Sequence, residues 1–276
     1  MIHPDADRRP IPFDVDAAYD AAQKVVETHH RIAAFLHEGL TLAQIDRFVF
    51  ETLEELGCKS CFFKYRAGGL PLPVAGLPES QRVRGARHSR VPPRTAQARR
   101  CAQDRYRRPL SRLDGRRRLD LCVRRDDPEI KKLTDSGKES LAKGIEELRP
   151  GNVWLDWART VQRIVEDEYG FHLIRGLGGH GYGKKLHTSP WISNVVPTHP
   201  NEWPDANNII EPGALVAVEP MIAIGTGEIT QGHKQWPIYT ADKSNSVHYE
   251  HDVLVTSDGP RILTDGLQDV QDVITR

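Results

Sequence analysis

A chain of 276 residues is long enough to fold as one large domain with a sizeable hydrophobic core, which we predict to span residues 14–276. Its 38 basic side chains balance its 38 acidic ones, so the net charge indicates neither a nucleic-acid-binding nor a membrane-binding protein. No apolar stretch is long enough for a transmembrane helix, and residues 1–13 form a polar tail without a signal-peptide core. We therefore expect a cytoplasmic protein with no membrane partner.

The first predicted elements are two helices. Apolar side chains recur at helical spacing over residues 14–38, and Gly39 is typical of the residue that ends a helix. Thr41 and Gln44 form the pattern of a capping box. This box starts a second amphipathic helix, which Gly57 ends.

The same order of elements recurs in the second half of the chain. Helical patterns cover residues 127–148 and 154–170, with Pro150 and Gly151 between them. From Phe171 onward, short apolar runs bounded by turn residues indicate strands. Two helices followed by strands, twice over, favour an α+β fold with two pseudo-symmetric halves.

Residues 68–125 differ in composition from the rest of the chain. Between Arg66 and Arg125 there are 17 arginines, no lysine and only four acidic residues. Such a segment has too few large apolar side chains to order itself, so we expect it to be irregular and exposed. A basic arm for nucleic acid is one interpretation, but Tyr106 is its only aromatic residue, which argues against a specific site.

A glycine-rich stretch at residues 176–194 contains two histidines. His180 lies between glycines, which let a backbone approach a ligand closely or adopt a positive φ. His187 follows shortly before Pro190. Considered alone, the stretch is equally consistent with a turn that carries an incidental histidine.

Two later apolar runs each carry an isolated carboxylate. Glu219 interrupts ALVAVEPMIA, and Glu250 lies in the strand-like run SVHYEHDVLV. A carboxylate inside a buried strand is costly unless it is paired or binds a metal. Together with His180, the two glutamates are ligands of the type that holds a divalent catalytic ion.

At these residues the sequence resembles type I methionine aminopeptidase, a pita-bread metallopeptidase. The resemblance rests on GHGYG, VEPM and YEHDVLVTSDGPRIL, on a proline after His187, and on Trp236 between the two glutamates. It covers roughly residues 14–66 and 126–265 and fails between them. The resemblance implies the pita-bread fold, with its first half disrupted at about 68–125.

The resemblance also implies removal of the initiator methionine from nascent proteins with two divalent metal ions. His180, Glu219 and Glu250 would be ligands, and Glu219 would also shuttle protons. His187 would hydrogen-bond the substrate near Trp236, although a surface loop histidine is the alternative. The donor types do not choose among Co, Mn, Fe and Zn.

Cysteine and aromatic residues line the first substrate pocket in the resembled family, and Cys61 and Tyr65 are the matching candidates. Cys58 and Cys61 also form a lone CxxC, but no second pair at zinc-site spacing follows. As partners we expect the N-terminal peptides of nascent proteins, bound at the ribosome by a monomer.

We hypothesise that the arginine-rich segment is read out of frame. Starting each codon one nucleotide later allows residues 102–108 to read Leu-Lys-Ile-Asp-Ile-Gly-Val, and residues 113–121 to read Trp-Met-Gly-Asp-Ala-Ala-Trp-Thr-Phe. These strings look like the family's missing strands with both aspartate ligands, and residues 78–89 similarly regain its substrate-side histidine. The written chain lacks these residues, and neither Asp104 nor Asp114 matches the ligand motif. We therefore expect the chain as written to have little or no activity.

Two other interpretations stay open. An Xaa-Pro peptidase shares the fold and the ligand types, although the strings EPM and YEHDVLV favour the methionine enzyme. A non-catalytic damaged product, or a binding module on the same scaffold, is the alternative from another class.

Overall fold

The computed structural model describes residues 14–37, 40–58, 66–67, 70–71, 128–183, 186–232 and 238–270. The tail at 1–13, Gly39 and residues 72–125 of the arginine-rich segment lie outside these ranges. The described start of that segment is not wholly irregular, because strand β1 (Arg66–Ala67) pairs antiparallel with β2 (Leu70–Pro71).

The first two helices follow the predicted pattern. Helix α1 (Val15–Phe35) begins where the Asp14 side chain accepts hydrogen bonds from two backbone amides, and it ends because Leu36 is extended. Helix α2 (Leu42–Glu55) begins with the predicted capping box of Thr41 and Gln44. The two helices pack against each other through a shared apolar cluster.

The second pair of helices differs from prediction near its end. Helix α3 (Pro128–Glu146) is continuous, but the second predicted helix is divided into α4 (Trp154–Gln162) and a π-helical segment (Arg163–Glu168). Gly170 closes the unit with a φ of 71°, a conformation that glycine adopts at low cost.

Most strands of the described chain belong to two antiparallel sheets that share three stretches of chain. The strands after β2 are β3 (His172–Leu173), β4 (Gly178–Gly181), β5 (Thr188–Ser193), β6 (Leu215–Val218), β7 (Met221–Ala223), β8 (Ile229–Gln231), β9 (Ile238–Thr240), β10 (Ser246–His248), β11 (His251–Thr256) and β12 (Gly259–Ile262). One sheet has the order β12-β11-β6-β4-β5 and the other β10-β7-β3, while β8 pairs with β9. The α+β prediction is therefore confirmed.

The two larger sheets meet where chain segments bend. The segments β3–β4, β6–β7 and β10–β11 each pass from one sheet into the other, and they lie in the same order in both. The strand predicted over 246–255 is thus wrong as one element, because it breaks at Tyr249 and Glu250. The β6–β7 segment breaks at Glu219 and Pro220, and a proline cannot donate the next ladder hydrogen bond.

Alternate residues of the five-stranded sheet pack on opposite sides. Val216 and Val253 belong to the main core that α3 and α4 cover, whereas Ala217 packs with Ala18 and Ala22 of α1. His180 pairs with Ala217 across the β4–β6 ladder. Directly paired side chains point to the same face, so the imidazole of His180 lies on the side of the sheet that α1 covers.

None of the helices in the described ranges is long and apolar enough to cross a membrane.

Candidate metal centre

His180 lies in β4, between β5 and β6, and is only 3% exposed. Its Nδ1 lies 2.9 Å from the carbonyl oxygen of Gly181. A carbonyl oxygen can only accept a hydrogen bond, so Nδ1 carries a proton and Nε2 is the ring nitrogen left for a metal ion. A hydrogen bond at one ring nitrogen commonly fixes the tautomer of a metal-ligating histidine in this way.

The glycines around His180 serve close strand packing. A Cβ atom at Gly178, Gly179 or Gly181 would overlap a backbone carbonyl oxygen of a neighbouring strand. None of the three has a positive φ; within the stretch, Gly176 does. The glycines do allow a close approach, but the group that approaches is the backbone of the neighbouring strands and not a ligand. The expectation of a positive φ beside His180 was wrong.

The two glutamates lie at two of the three bends between the sheets, Glu219 after β6 and Glu250 before β11. Glu219 is fully buried and Glu250 is 5% exposed. His180 Nε2 lies 3.4 Å from Glu219 Oε1, and one carboxylate oxygen of each glutamate lies within 4.8 Å of the other. The structure therefore places His180 beside Glu219 and Glu219 beside Glu250, and the role of the three residues as metal ligands stays a prediction.

A further histidine, which the sequence analysis missed, completes the cluster. His248 Nε2 lies 2.9 Å from Glu219 Oε2 and 3.8 Å from Glu250 Oε2. His248 precedes Glu250 by two residues, so strand alternation would have placed both on one face. The run SVHYEHDVLV contains two histidines, however, and the sequence pattern alone does not separate a ligand from a solvated side chain.

The donor set fits a divalent cation. Donor atoms of Glu219, Glu250 and His248 all lie within 4.8 Å of one another, and His180 Nε2 lies 3.4 Å from Glu219 Oε1. Burying carboxylates side by side is unfavourable unless a cation or protons neutralise them. Nitrogen and oxygen donors of these types suit Zn, Mn, Fe and Co.

A buried hydrogen-bonded relay fixes the bend that carries Glu219. Asn194 Nδ2 donates to the Glu219 carbonyl oxygen at 2.8 Å. Asn194 Oδ1 accepts from Trp157 Nε1 at 3.2 Å, and both residues are fully buried. The helix α4 thereby holds the backbone of a candidate ligand in place.

His187 lies beside the cluster on its solvent side. Its ring centroid is 4.3 Å from that of His180, and the residue is exposed whereas His180 is buried. This position allows contact with a molecule that enters the site. Trp236, Cys61 and Tyr65, the other predicted substrate-binding residues, lie outside the described residues.

The comparisons with known proteins identify the family of the chain. The profile of metallopeptidase family M24 matches residues 118–257, which include His180, Glu219 and Glu250. Methionine aminopeptidase of Aquifex aeolicus is 28% identical over 265 residues, covering 91% of this chain and 96% of that protein. Methionine aminopeptidase 1 of Mycobacterium tuberculosis is 38% identical over 140 residues, covering 49% of this chain and 50% of that protein.

A solved structure shares the fold. The crystal structure of methionine aminopeptidase from Thermotoga maritima aligns with a TM-score of 0.68 and 23% identity, over 96% of this chain and 99% of that chain. The chain therefore has the pita-bread fold of that protein. Since the family profile spans half of the sequence and covers all three expected ligands, the chain belongs to metallopeptidase family M24.

Proposed function

We propose that this sequence is that of a type I methionine aminopeptidase, a metal-dependent enzyme that removes the N-terminal methionine from nascent proteins. The observation that carries the proposal is the buried pair of Glu219 and Glu250 at bends between two sheets, with carboxylate oxygens within 4.8 Å of each other and with His180 3.4 Å from Glu219. The names of the relatives, which are methionine aminopeptidases, support the choice of substrate. We further propose that the enzyme acts as a cytoplasmic monomer on nascent chains at the ribosome.

The proposed chemistry divides between the bound ions and the protein. A divalent cation held by His180, Glu219 and Glu250 would polarise the first peptide carbonyl and lower the pKa of water. Glu219, which is fully buried, accepts and returns the proton that the attacking water loses. His187, on the solvent side, donates a hydrogen bond to the substrate peptide.

We also propose that the chain as written is impaired. The resemblance implies five ligands, and two of them are aspartates that only the shifted reading frame encodes. In support, the family profile begins to match at residue 118, near the end of the arginine-rich segment. With the carboxylates of both aspartates missing, the second ion of the family would lose most of its oxygen donors.

The test uses two full-length chains, the one written here and one with the reading frame restored over residues 68–125. Both are assayed with added Mn²⁺ or Zn²⁺ for release of methionine from a Met-Gly-type peptide and of residues other than methionine from Xaa-Pro peptides. We expect the restored chain to release methionine and the written chain to be at least about 100-fold slower. Preferential cleavage of Xaa-Pro peptides by the restored chain would refute the proposed specificity, and equal rates of the two chains would refute the frame-shift hypothesis.

A further inference from the structure

We propose that His248 is a direct metal ligand in the chain as written. It would complete a single-ion centre of two imidazoles and two carboxylates, which selects zinc over manganese. The inference deepens the proposed metal-dependent function and rests on it. The resemblance implies no ligand at this position.

The position of His248 carries the first step of the argument. Its Nε2 contacts both glutamates, at 2.9 Å from Glu219 Oε2 and 3.8 Å from Glu250 Oε2. One donor atom from each of these three residues lies within 4.8 Å of the others. The distance given for the expected ligand His180 is to Glu219 alone, at 3.4 Å from Oε1, whereas His248 lies near both carboxylates.

The spacing of the donor atoms agrees with a small four-coordinate ion. An ion with tetrahedral bonds of about 2.1 Å holds neighbouring donor atoms roughly 3.4 Å apart. His248 Nε2 lies 2.9 Å from Glu219 Oε2 and 3.8 Å from Glu250 Oε2, so its two nitrogen–oxygen distances lie on either side of that value. Small side-chain rotations would equalise them.

The number and type of the donors give the selectivity. The group of Glu219, His248 and Glu250 supplies one nitrogen and two carboxylate oxygens, and His180, 3.4 Å from Glu219 Oε1, would add the fourth ligand. Two imidazoles and two carboxylates make a set of the kind that zinc accepts. Manganese prefers carboxylate, carbonyl and water oxygens in six-coordinate sites. Since no aspartate of the shifted frame is present in the written chain, the imidazole of His248 makes up for part of the lost donor set.

The packing of β10 keeps His248 in this position. Its backbone pairs with Met221 of β7, so the strand that carries it is hydrogen-bonded to the strand that follows Glu219. The side chain is 17% exposed, which means that the imidazole is mostly removed from water but remains accessible from one side. A ligand exchange path to solvent therefore exists without unfolding of the site.

The test compares metal binding by the full-length written chain and its variants. After removal of metal with a chelator, Zn²⁺ is titrated in competition with a chromophoric chelator and Mn²⁺ by calorimetry. We expect one Zn²⁺ per chain. His248→Gln should weaken Zn²⁺ binding by more than about 100-fold, which exceeds the loss that an outer hydrogen-bonding partner causes, and should weaken Mn²⁺ binding by less than about tenfold.

The matched control is His172→Gln. His172 is an exposed histidine of β3 in the same small sheet as His248, so its replacement should change neither affinity by more than about twofold. X-ray absorption of the zinc-loaded, unmutated chain gives a second readout, because its outer-shell scattering counts bound imidazoles and needs no variant to fold. We expect two.

A loss of Zn²⁺ affinity below about 100-fold in a folded His248→Gln chain, or a single bound imidazole in the unmutated chain, would overturn the inference. Either result would place His248 outside the coordination sphere as a hydrogen-bond donor to Glu219. The metal affinities and the X-ray absorption are measured without any peptidase assay. A chain that binds zinc through His248 but whose frame-restored form releases no methionine would refute the proposed function and leave this inference standing.

Discussion

Asn194 holds the backbone of Glu219, since its side-chain amide donates a 2.8 Å hydrogen bond to the Glu219 carbonyl oxygen. The bend at Glu219 lacks the next ladder donor because Pro220 follows. Asn194, the residue after β5, supplies a side-chain donor to the Glu219 carbonyl oxygen at this bend. Trp157 of α4 donates a hydrogen bond to Asn194, so α4 is linked through Asn194 to the backbone of Glu219. The side chain of Glu219 lies in the cluster.

Asn194→Ala should destabilise the fold and the site together. The substitution leaves the buried Trp157 Nε1 without its acceptor and the Glu219 carbonyl without this donor, at a cost of about 2–4 kcal/mol. Urea unfolding measures the loss. Asn208→Ala, which removes an exposed hydrogen bond to Asp205, should cost less than about 0.5 kcal/mol. Equal losses in the two variants would mean that the relay does not support the bend.

Gly137→Ala should displace the backbone that carries His248 and Glu250. A Cβ atom at Gly137 of α3 would overlap the ring of Tyr249, which lies between His248 and Glu250 in the chain. Overpacking costs about 1–3 kcal/mol, and the higher helix propensity of alanine returns about 1 kcal/mol. The net loss in the free energy of unfolding should thus be about 0–2 kcal/mol, while Zn²⁺ affinity falls at least about tenfold because both ligands shift.

The control for this variant is Lys143→Ala on the exposed face of the same helix. It removes a surface ion pair with Glu146 and should change stability by less than about 1 kcal/mol, with unaltered Zn²⁺ affinity. Should Gly137→Ala bind Zn²⁺ as tightly as the unmutated chain, the packing of α3 on Tyr249 would have no role in placing the ligands.

His187→Ala should separate substrate binding from metal binding. In the frame-restored enzyme, loss of a hydrogen bond of about 1.5–3 kcal/mol to the substrate lowers kcat/KM by roughly 10–100-fold. Metal content, measured by elemental analysis, should stay the same because His187 lies on the solvent side of His180. The exposed His199 offers the matched control, and His199→Ala should change neither quantity. Parallel loss of metal and rate would contradict a substrate role.

Much of the framework follows from local sequence. The helical periodicity of α1 to α3 and the pair Thr41 and Gln44 act over a few residues, so the pattern alone predicts them. Glu219 and Glu250 were also predictable, because an isolated carboxylate in an apolar run has few explanations other than pairing or metal binding.

The remaining features depend on distant residues. The crowding at Gly179 comes from the backbone of β6, which lies almost 40 residues later in the chain, so no local pattern reveals it. The bend at Tyr249 places His248 towards Glu219 of another strand. Strand alternation would have indicated the face of His248 but not its partners.

Thermal unfolding of the full-length chain, with and without Zn²⁺, tests the central claim that the buried cluster of His180, Glu219, His248 and Glu250 is a metal centre. Zn²⁺ at 100 times its Kd should stabilise the unmutated chain by about 2.7 kcal/mol, and the chelator should reverse the shift. The double variant Glu219→Gln, Glu250→Gln should fold but show no shift with Zn²⁺. An unfolding temperature of the unmutated chain that does not respond to Zn²⁺, Mn²⁺ or Co²⁺, or an equal shift in the double variant, would contradict the account.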